Sequence, residues 1–337
     1  MDFVLYHRQC PDGWAAAFIA KLKYPEAELK ALDHGKPPEF INELIDSLAG
    51  KDVLMVDFSL RTREENDRLA AVAKSFKILD HHRTAQAVLE GASYAVFDMN
   101  RSGAGLAWDY LFGRDSTGEW TRDREEREGG VDIGTPRPWW VDYVEARDLW
   151  RWDSVPNARV VCAYLGTLPF ETEAWSKLRG LGVDEAYFLG RGALTHIEHF
   201  VRESVKNVQP GIFEGYLVGI MNATYLNCSE IGNEIANNPV NSFSVTWFER
   251  DRDTIQFSLR SIGEFDVSAI AKKFNGGGHR NAAGFQLPIQ EGRDLIDQIL
   301  KRPSYFEKLN QQLLLQASEM VIKAQVEETR QNFGRCL

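Results

Sequence analysis

Four short apolar runs near the amino terminus, Phe3-Val4-Leu5-Tyr6, Leu29 to Leu32, Val53-Leu54-Met55-Val56 and Lys77 to Leu79, are separated by segments of helical length and pattern. Trp14 to Lys23 and Glu39 to Ala49 read as helices. Thr62-Arg63-Glu64-Glu65 has the form of a capping box, and Leu69, Val72, Ala73 and Phe76 give the helix after it an apolar stripe. Strands that alternate with helices pair in parallel through right-handed crossovers, so the expected class is α/β with helices on both faces of a parallel sheet. Such a sheet sets the carboxyl ends of its strands along one edge, where ligand sites form. That inference alone gathers His7, Asp12, Asp57, Asp80, His81 and His82, each at or just past a strand end.

The most compact of these exits is Ile78-Leu79-Asp80-His81-His82-Arg83. An isolated triplet of this kind has a plain explanation, with Asp80 capping a turn and both histidines bonding locally. Its company favours another one. Oxygen and imidazole donors from several strand ends on one edge are what a divalent metal or a phosphate requires.

Further along, Tyr94 to Phe97 reads as another strand and Leu106 to Phe112 as a helix. Gly113 to Arg137, dense in charge and turn residues, is expected to be an exposed insertion with a solvated surface. Helical pattern returns at Trp139, where Val141, Val144, Leu149 and Trp152 share a face. Asp148 lies beside Arg147 and Arg151 and could enter the site or pair with an arginine; spacing leaves both open. From Pro169 to Pro210 the chain reads as a helical connector with Leu194, Ile197, Val201, Val205 and Val208 at helical spacing. His196 and His199 within it read as surface or interhelix residues rather than a second metal site. A second unit begins at Gly215-Tyr216-Leu217-Val218-Gly219-Ile220, with a helix over Ser229 to Asn237. A β-hairpin of Phe243 to Phe248 and Thr254 to Ser258 follows, with Arg260 leaving its second strand. After a helix over Val267 to Phe274 comes Asn275-Gly276-Gly277-Gly278-His279-Arg280. Three glycines permit close backbone approach, and their N–H groups can converge on an anion.

The formal net charge is −10. Proteins that track long nucleic acid present a broad basic surface to the phosphates, so a long polymer is not the expected partner. A phosphate ester held by local cations and metal should be small. The opening residues enter a strand directly, so no signal peptide is expected, and no apolar run reaches the roughly 20 residues of a membrane span. The scattered cysteines Cys10, Cys162, Cys228 and Cys336 lack CxxC spacing and fit reduced thiols in a cytoplasm. Leu309, Leu313, Ala317, Met320, Val321 and Ala324 form an amphipathic stripe suited to packing on its own domain or on a second subunit in a homodimer.

These residues resemble the DHH phosphoesterases of the DHH/DHHA1 type, among them RecJ-like nucleases, oligoribonucleases that degrade very short RNA, and cyclic-dinucleotide phosphodiesterases. The resemblance covers most of the chain. It is carried by His7 with Pro11-Asp12-Gly13, by Val56-Asp57-Phe58-Ser59, Asp80-His81-His82 and Asp148, and by Phe274-Asn275-Gly276-Gly277-Gly278-His279 with Ala282-Ala283-Gly284. It implies a catalytic DHH domain over 1–168, a helical linker over 169–210, a smaller α/β DHHA1 substrate domain over 211–302 and a helical extension over 303–337. It also implies one or two Mn²⁺ or Mg²⁺ ions. By carry-over, His7 and Asp12 would hold one ion, Asp57 would bridge, and His81 with Asp148 would hold the other. Asp80 would orient a histidine, and His82 would face the scissile phosphate. Arg260, Gly276, Gly277, Gly278 and His279 would grip the terminal nucleotide.

One departure stands out. Where related proteins have Pro-Asp-Gly-Asp, the last acid being a ligand of the second ion, this chain has Trp14, which reads more readily as a core residue than as a stacking platform. The segment from His7 to Asp12 is also one residue longer than usual. The activity implied is hydrolysis of short linear oligonucleotides, dinucleotides such as pGpG or nanoRNA, to mononucleotides. The alternatives within the same chemistry are a cyclic-dinucleotide phosphodiesterase and a 3′-phosphoadenosine 5′-phosphate phosphatase. From another class, a nucleotide-binding sensor with a degenerate metal site would also fit the Trp14 substitution.

Overall fold

The computed structural model describes residues 1–113 and 137–301. Most of the charged stretch between 113 and 137, and the amphipathic stripe after 302, lie outside the described residues.

The first unit runs β1 (Phe3–His7), α1 (Pro11–Lys23), β2 (Glu28–Leu32), α2 (Pro38–Ser47), β3 (Asp52–Val56), α3 (Arg63–Val72), β4 (Ser75–Asp80), α4 (Arg83–Val88) and β5 (Ala95–Phe97). Its strands form an all-parallel sheet in the order β2-β1-β3-β4-β5. Because strand side chains alternate between faces, Val4, Leu54, Val56 and Leu79 fall into one core while Leu5, Val53, Met55 and Ile78 fall into another. The first core is closed by α1 together with α5 (Gly103–Phe112) and α6 (Trp139–Asp148), and the second by α2 and α3. The capping box is present: the Glu65 amide donates to Thr62 Oγ1 at 3.2 Å and the Thr62 amide to Glu65 Oε2 at 2.9 Å. The departure from expectation is Arg137, at the end of the charged stretch, which is buried between Asp142, Asp109 and Glu145 rather than solvated.

Helices α7 (Ala158–Leu165), α8 (Thr172–Ser176) and the long α9 (Val183–Ser204) lead onward. His196 and His199 are exposed on α9. The second unit follows: β6 (Gln209–Phe213), β7 (Tyr216–Asn222), α10 (Cys228–Ala236), β8 (Phe243–Glu249), β9 (Thr254–Arg260), α11 (Val267–Lys273), β10 (Gly277–His279), β11 (Ala282–Pro288) and α12 (Ile289–Leu300). Its sheet is mixed, ordered β10-β11-β9-β8-β7-β6, with only β7 and β8 parallel. The fold is thus α/β throughout, with the expected hairpin as β8 and β9. Three strands, β6, β10 and β11, are not signalled by the sequence. Pro210 sits within β6, which tolerates it as the edge of the sheet, and the glycine run forms β10 instead of an open loop.

Salt bridges tie the two units together across the cleft between them. Arg250 meets Asp33 at 2.7 Å, and Arg147 of α6 meets Glu230 of α10 at 2.7 Å. No helix among the described residues is long and apolar enough to cross a membrane.

Candidate metal centre

His7 closes β1, Asp57 follows β3, and Asp80 closes β4, so three parallel strands release polar side chains at one edge. Asp57 is at the middle of what they build. Its backbone is left-handed (φ 52°), a conformation that aspartate tolerates better than most residues, and the turn drives its carboxylate inward until the residue is 1% exposed. Its two oxygens face different neighbours. Oδ1 is 3.1 Å from His81 Nε2, and Oδ2 is 3.8 Å from His7 Nδ1.

Around it, ligand atoms fall into three groups that share Asp57, one of which joins it to Asp80 and His82. His7, Cys10 and Asp57 can each offer an atom within 4.8 Å of one another, and so can Asp12, Asp57 and His81. Asp148, at the end of α6, adds Oδ2 at 3.5 Å from His81 Nε2, so it enters the site while the neighbouring Arg147 turns away to Glu230. This grouping differs from the resemblance in one respect. Asp12 stands with His81, not with His7, and the donor beside His7 is Cys10.

Asp12 shows why. It lies in the first turn of α1 and accepts from the Gly103 amide at 2.5 Å and the Ala104 amide at 2.9 Å, the free N–H groups that open α5. Gly103 is required for that approach, since a side chain there would put its first carbon 2.5 Å from Asp57 Cβ and 2.8 Å from Asp12 Oδ2. The loop before α5 is held from behind. Arg101 donates to Glu145 Oε1 at 2.8 Å, and Glu145 Oε2 accepts from the Ser102 amide at 3.1 Å.

The protonation pattern is that of a donor set awaiting positive charge. Burial, with Asp148 and Asp57 close by, pushes Asp12 well above the usual carboxylate range, and burial also raises Asp148. For Asp57 burial acts upward, but the attraction of His7, His81 and His82 outweighs it and holds the carboxyl well below its ordinary value. Burial would lower His81, yet Asp148, Asp57 and Asp12 raise it well above an ordinary histidine. Four buried atoms at the centre, His7 Nδ1, Asp57 Oδ2, His81 Nδ1 and Asp148 Oδ2, have no hydrogen-bond partner among the described residues. Buried acids and imidazoles with unpartnered atoms suit a divalent cation.

Asp80 does a different job. Its Oδ1 accepts from the His81 amide (2.7 Å), the His82 amide (3.0 Å) and His82 Nδ1 (2.7 Å), which fixes the His82 ring and leaves Nε2 as its other nitrogen. Burial lowers the basicity of His82, but Asp80 reverses this and raises it above an ordinary histidine.

The opposite wall comes from β10. Gly277 packs on Thr84 of α4, where a side chain would begin 2.9 Å from the hydroxyl, and Gly278 has φ +136°. These features bring His279 over the triplet: its ring stacks on His82 with centroids 4.8 Å apart at 18°, and lies 4.8 Å from His81. Burial, with His82 and His81 nearby, pushes His279 down to about 2, so this ring is neutral. Of the other expected substrate residues, Arg260 is held beside α10, donating to Ser229 Oγ at 2.8 Å and Leu259 O at 2.9 Å. Gly276 lies under β11, against Gly284 and Phe285. Trp14 takes no part in the site. It is 4% exposed in the first core, with Tyr6, Phe170 and Trp175 as ring neighbours.

Sequence reasoning did not single out Cys10 or Gly103. Cys10 has no partner cysteine to flag it. Gly103 gains its role only when α5 packs against β3.

Comparison with known proteins gives residues 214–302 as a DHHA1 domain. An uncharacterized protein, R106, of Acanthamoeba polyphaga mimivirus is 28% identical over 312 residues, spanning 84% of this chain and 67% of its own length. Among solved structures, RecJ from Thermus thermophilus in complex with Mn²⁺ is 16% identical, with 88% of this chain and 51% of that one covered and a TM-score of 0.48. A pGpG-specific phosphodiesterase, PggH, from a Vibrio species is 13% identical, with 88% and 97% covered and a TM-score of 0.44.

Proposed function

We propose, from the DHHA1 domain over 214–302 and the Asp80-His81-His82 triplet in the unit before it, that this chain is a metal-dependent phosphohydrolase of the DHH/DHHA1 type. Within that class the reading is a phosphodiesterase that cleaves short linear oligonucleotides, dinucleotides such as pGpG among them, to mononucleotides. The observation that carries it is the convergence on Asp57: one carboxylate turns an oxygen to each of two donor groups, and both groups keep buried atoms without partners.

In this reading Asp57 would help to hold one or two Mn²⁺ or Mg²⁺ ions, with His7 on one side and Asp12, His81 and Asp148 on the other. When bound, the ions supply positive charge for the phosphoryl oxygens and make water a competent nucleophile at neutral pH. The chain's own part is to place and hold. Asp80 fixes His82 so that its free nitrogen can meet the scissile phosphate, a hydrogen bond that strengthens as charge develops there. His279, neutral and stacked on His82, closes the cleft from the other side. Arg260 and the strand Gly277–His279, with Gly276 before it, take the terminal nucleotide. Two features favour a short substrate. The walls come into ring contact at the site, which suits a ligand that ends there, and the net charge of −10 is ill suited to tracking a long polyanion.

A panel of 2-mers to 10-mers in RNA and DNA, with cyclic dinucleotides and 3′-phosphoadenosine 5′-phosphate beside them, tests this with Mn²⁺ and Mg²⁺ compared. The reading expects the dinucleotides to turn over fastest. Intact pGpG alongside cleaved long single strands would sink it.

A further inference from the structure

The donor group on the His7 side contains a residue that the proposed function leaves unused. Cys10 stands within 4.8 Å of ligand atoms of both His7 and Asp57. Among the described residues, His7 Nδ1 and Asp57 Oδ2, 3.8 Å apart, are buried without hydrogen-bond partners, and Asp57 is 1% exposed. The thiol's position is set by the backbone. Pro11 opens α1, and the residue before a proline is driven to extended geometry, here φ −114° and ψ 125° for Cys10.

We infer that Cys10 is a ligand of the ion held at His7 and Asp57, giving that position one sulfur, one nitrogen and one oxygen donor and a preference for thiophilic divalent ions such as Zn²⁺ or Co²⁺ over Mg²⁺. The inference rests on the proposed metal site and adds a ligand to it. As the sulfur–metal bond forms, the S–H bond breaks and its proton passes to solvent; nothing is oxidised or reduced. Thiolate favours borderline and soft ions, whereas Mg²⁺ holds out for oxygen ligands in near-octahedral array. The second position, built from Asp12, Asp57 and His81 with Asp148, holds more oxygen than nitrogen and remains suited to a hard ion. The two positions therefore differ in metal preference.

Cobalt(II) titration of the full-length chain tests this without an activity assay. The visible bands of the ion report that it is bound, and near-ultraviolet sulfur-to-cobalt charge transfer reports a thiolate ligand. Iodoacetamide labelling, mapped by peptide so that Cys10 is distinguished from Cys162, Cys228 and Cys336, is run with and without cobalt. The expected result is that both absorptions rise together and that labelling of Cys10 slows by about tenfold or more in the loaded protein. Cys10→Ser should keep the visible bands and lose the charge transfer. Visible bands without charge transfer, with Cys10 labelled at the same rate, would overturn the thiolate ligand and leave the metal site standing. Absence of any cobalt binding by the wild type would overturn both. Labelling of the wild type decides the matter even if the serine variant does not fold.

Discussion

In the five-stranded sheet, polar side chains leave the ends of β3 and β4 and come to rest buried, as Asp57 and His81 do at 1% exposure each. In the six-stranded sheet, the residue facing them, His279, arrives on a three-residue edge strand made mostly of glycine, and it is half-buried and neutral. The first wall concentrates like charges in a dry place: Asp12 and Asp148 are both driven upward by burial and by their neighbouring acids. The second wall carries almost no charge and makes its approach through backbone. Carboxylates held that close are stable only with compensating protons or a cation, whereas a neutral imidazole on a glycine strand needs neither. In the proposed reading the first wall would hold metal and the second substrate, so changes to the two should separate in their effects.

The largest expected effect is at the shared ligand. Asp57→Asn should lower kcat/KM for pGpG with Mn²⁺ by on the order of 10³-fold, since it removes charge from both donor groups at once. The fold should survive, because asparagine also accepts the left-handed backbone that Asp57 adopts (φ 52°), and a thermal melt alongside the kinetics checks that. A smaller loss would mean that the two groups do not depend on a common carboxylate.

Next is Trp14. Trp14→Asp places an acid where the resemblance leads one to expect it, yet the side chain lies in the first core among Tyr6, Phe170 and Trp175. Stability should fall by about 3 kcal/mol or more, read by urea unfolding, because a large core side chain is lost and a carboxyl is buried. Mn²⁺ affinity should not rise. Tighter binding in that variant would show that the missing acid had been a vacancy in the site.

Asp80→Ala follows. Asp80 holds the His82 ring and the His81 and His82 amides, and loss of such an orienting partner typically costs about 10- to 100-fold in activity. The loss should fall on kcat, with Mn²⁺ affinity close to wild type. The smallest effect belongs to the second wall: His279→Ala should raise KM about tenfold, equivalent to about 1.4 kcal/mol of binding, and leave metal affinity unchanged.

What the sequence shows in advance divides along the same line. The strand ends were legible because alternation of apolar runs and helices leaves one way to stack a parallel sheet, and that alone assembles His7, Asp57, Asp80 and His81 on one edge. Asp148, open on spacing, is settled by the fold, which sends Arg147 to Glu230 and the aspartate inward. The second wall was less legible. Gly277 and Gly278 have no strand propensity, and β10 exists because β11 offers a partner already paired to β9. The regrouping of Asp12 depends on amides from Gly103 and Ala104, far along the chain, which no local pattern announces. Cys10 stayed hidden because a single thiol in a turn has no spacing to read.

The most direct measurement is calorimetric titration of Mn²⁺ into the wild type, Asp57→Asn and His279→Ala. Binding by the wild type that is lost in Asp57→Asn and retained in His279→Ala is the predicted result. Equal Mn²⁺ affinity in the wild type and Asp57→Asn would contradict the account.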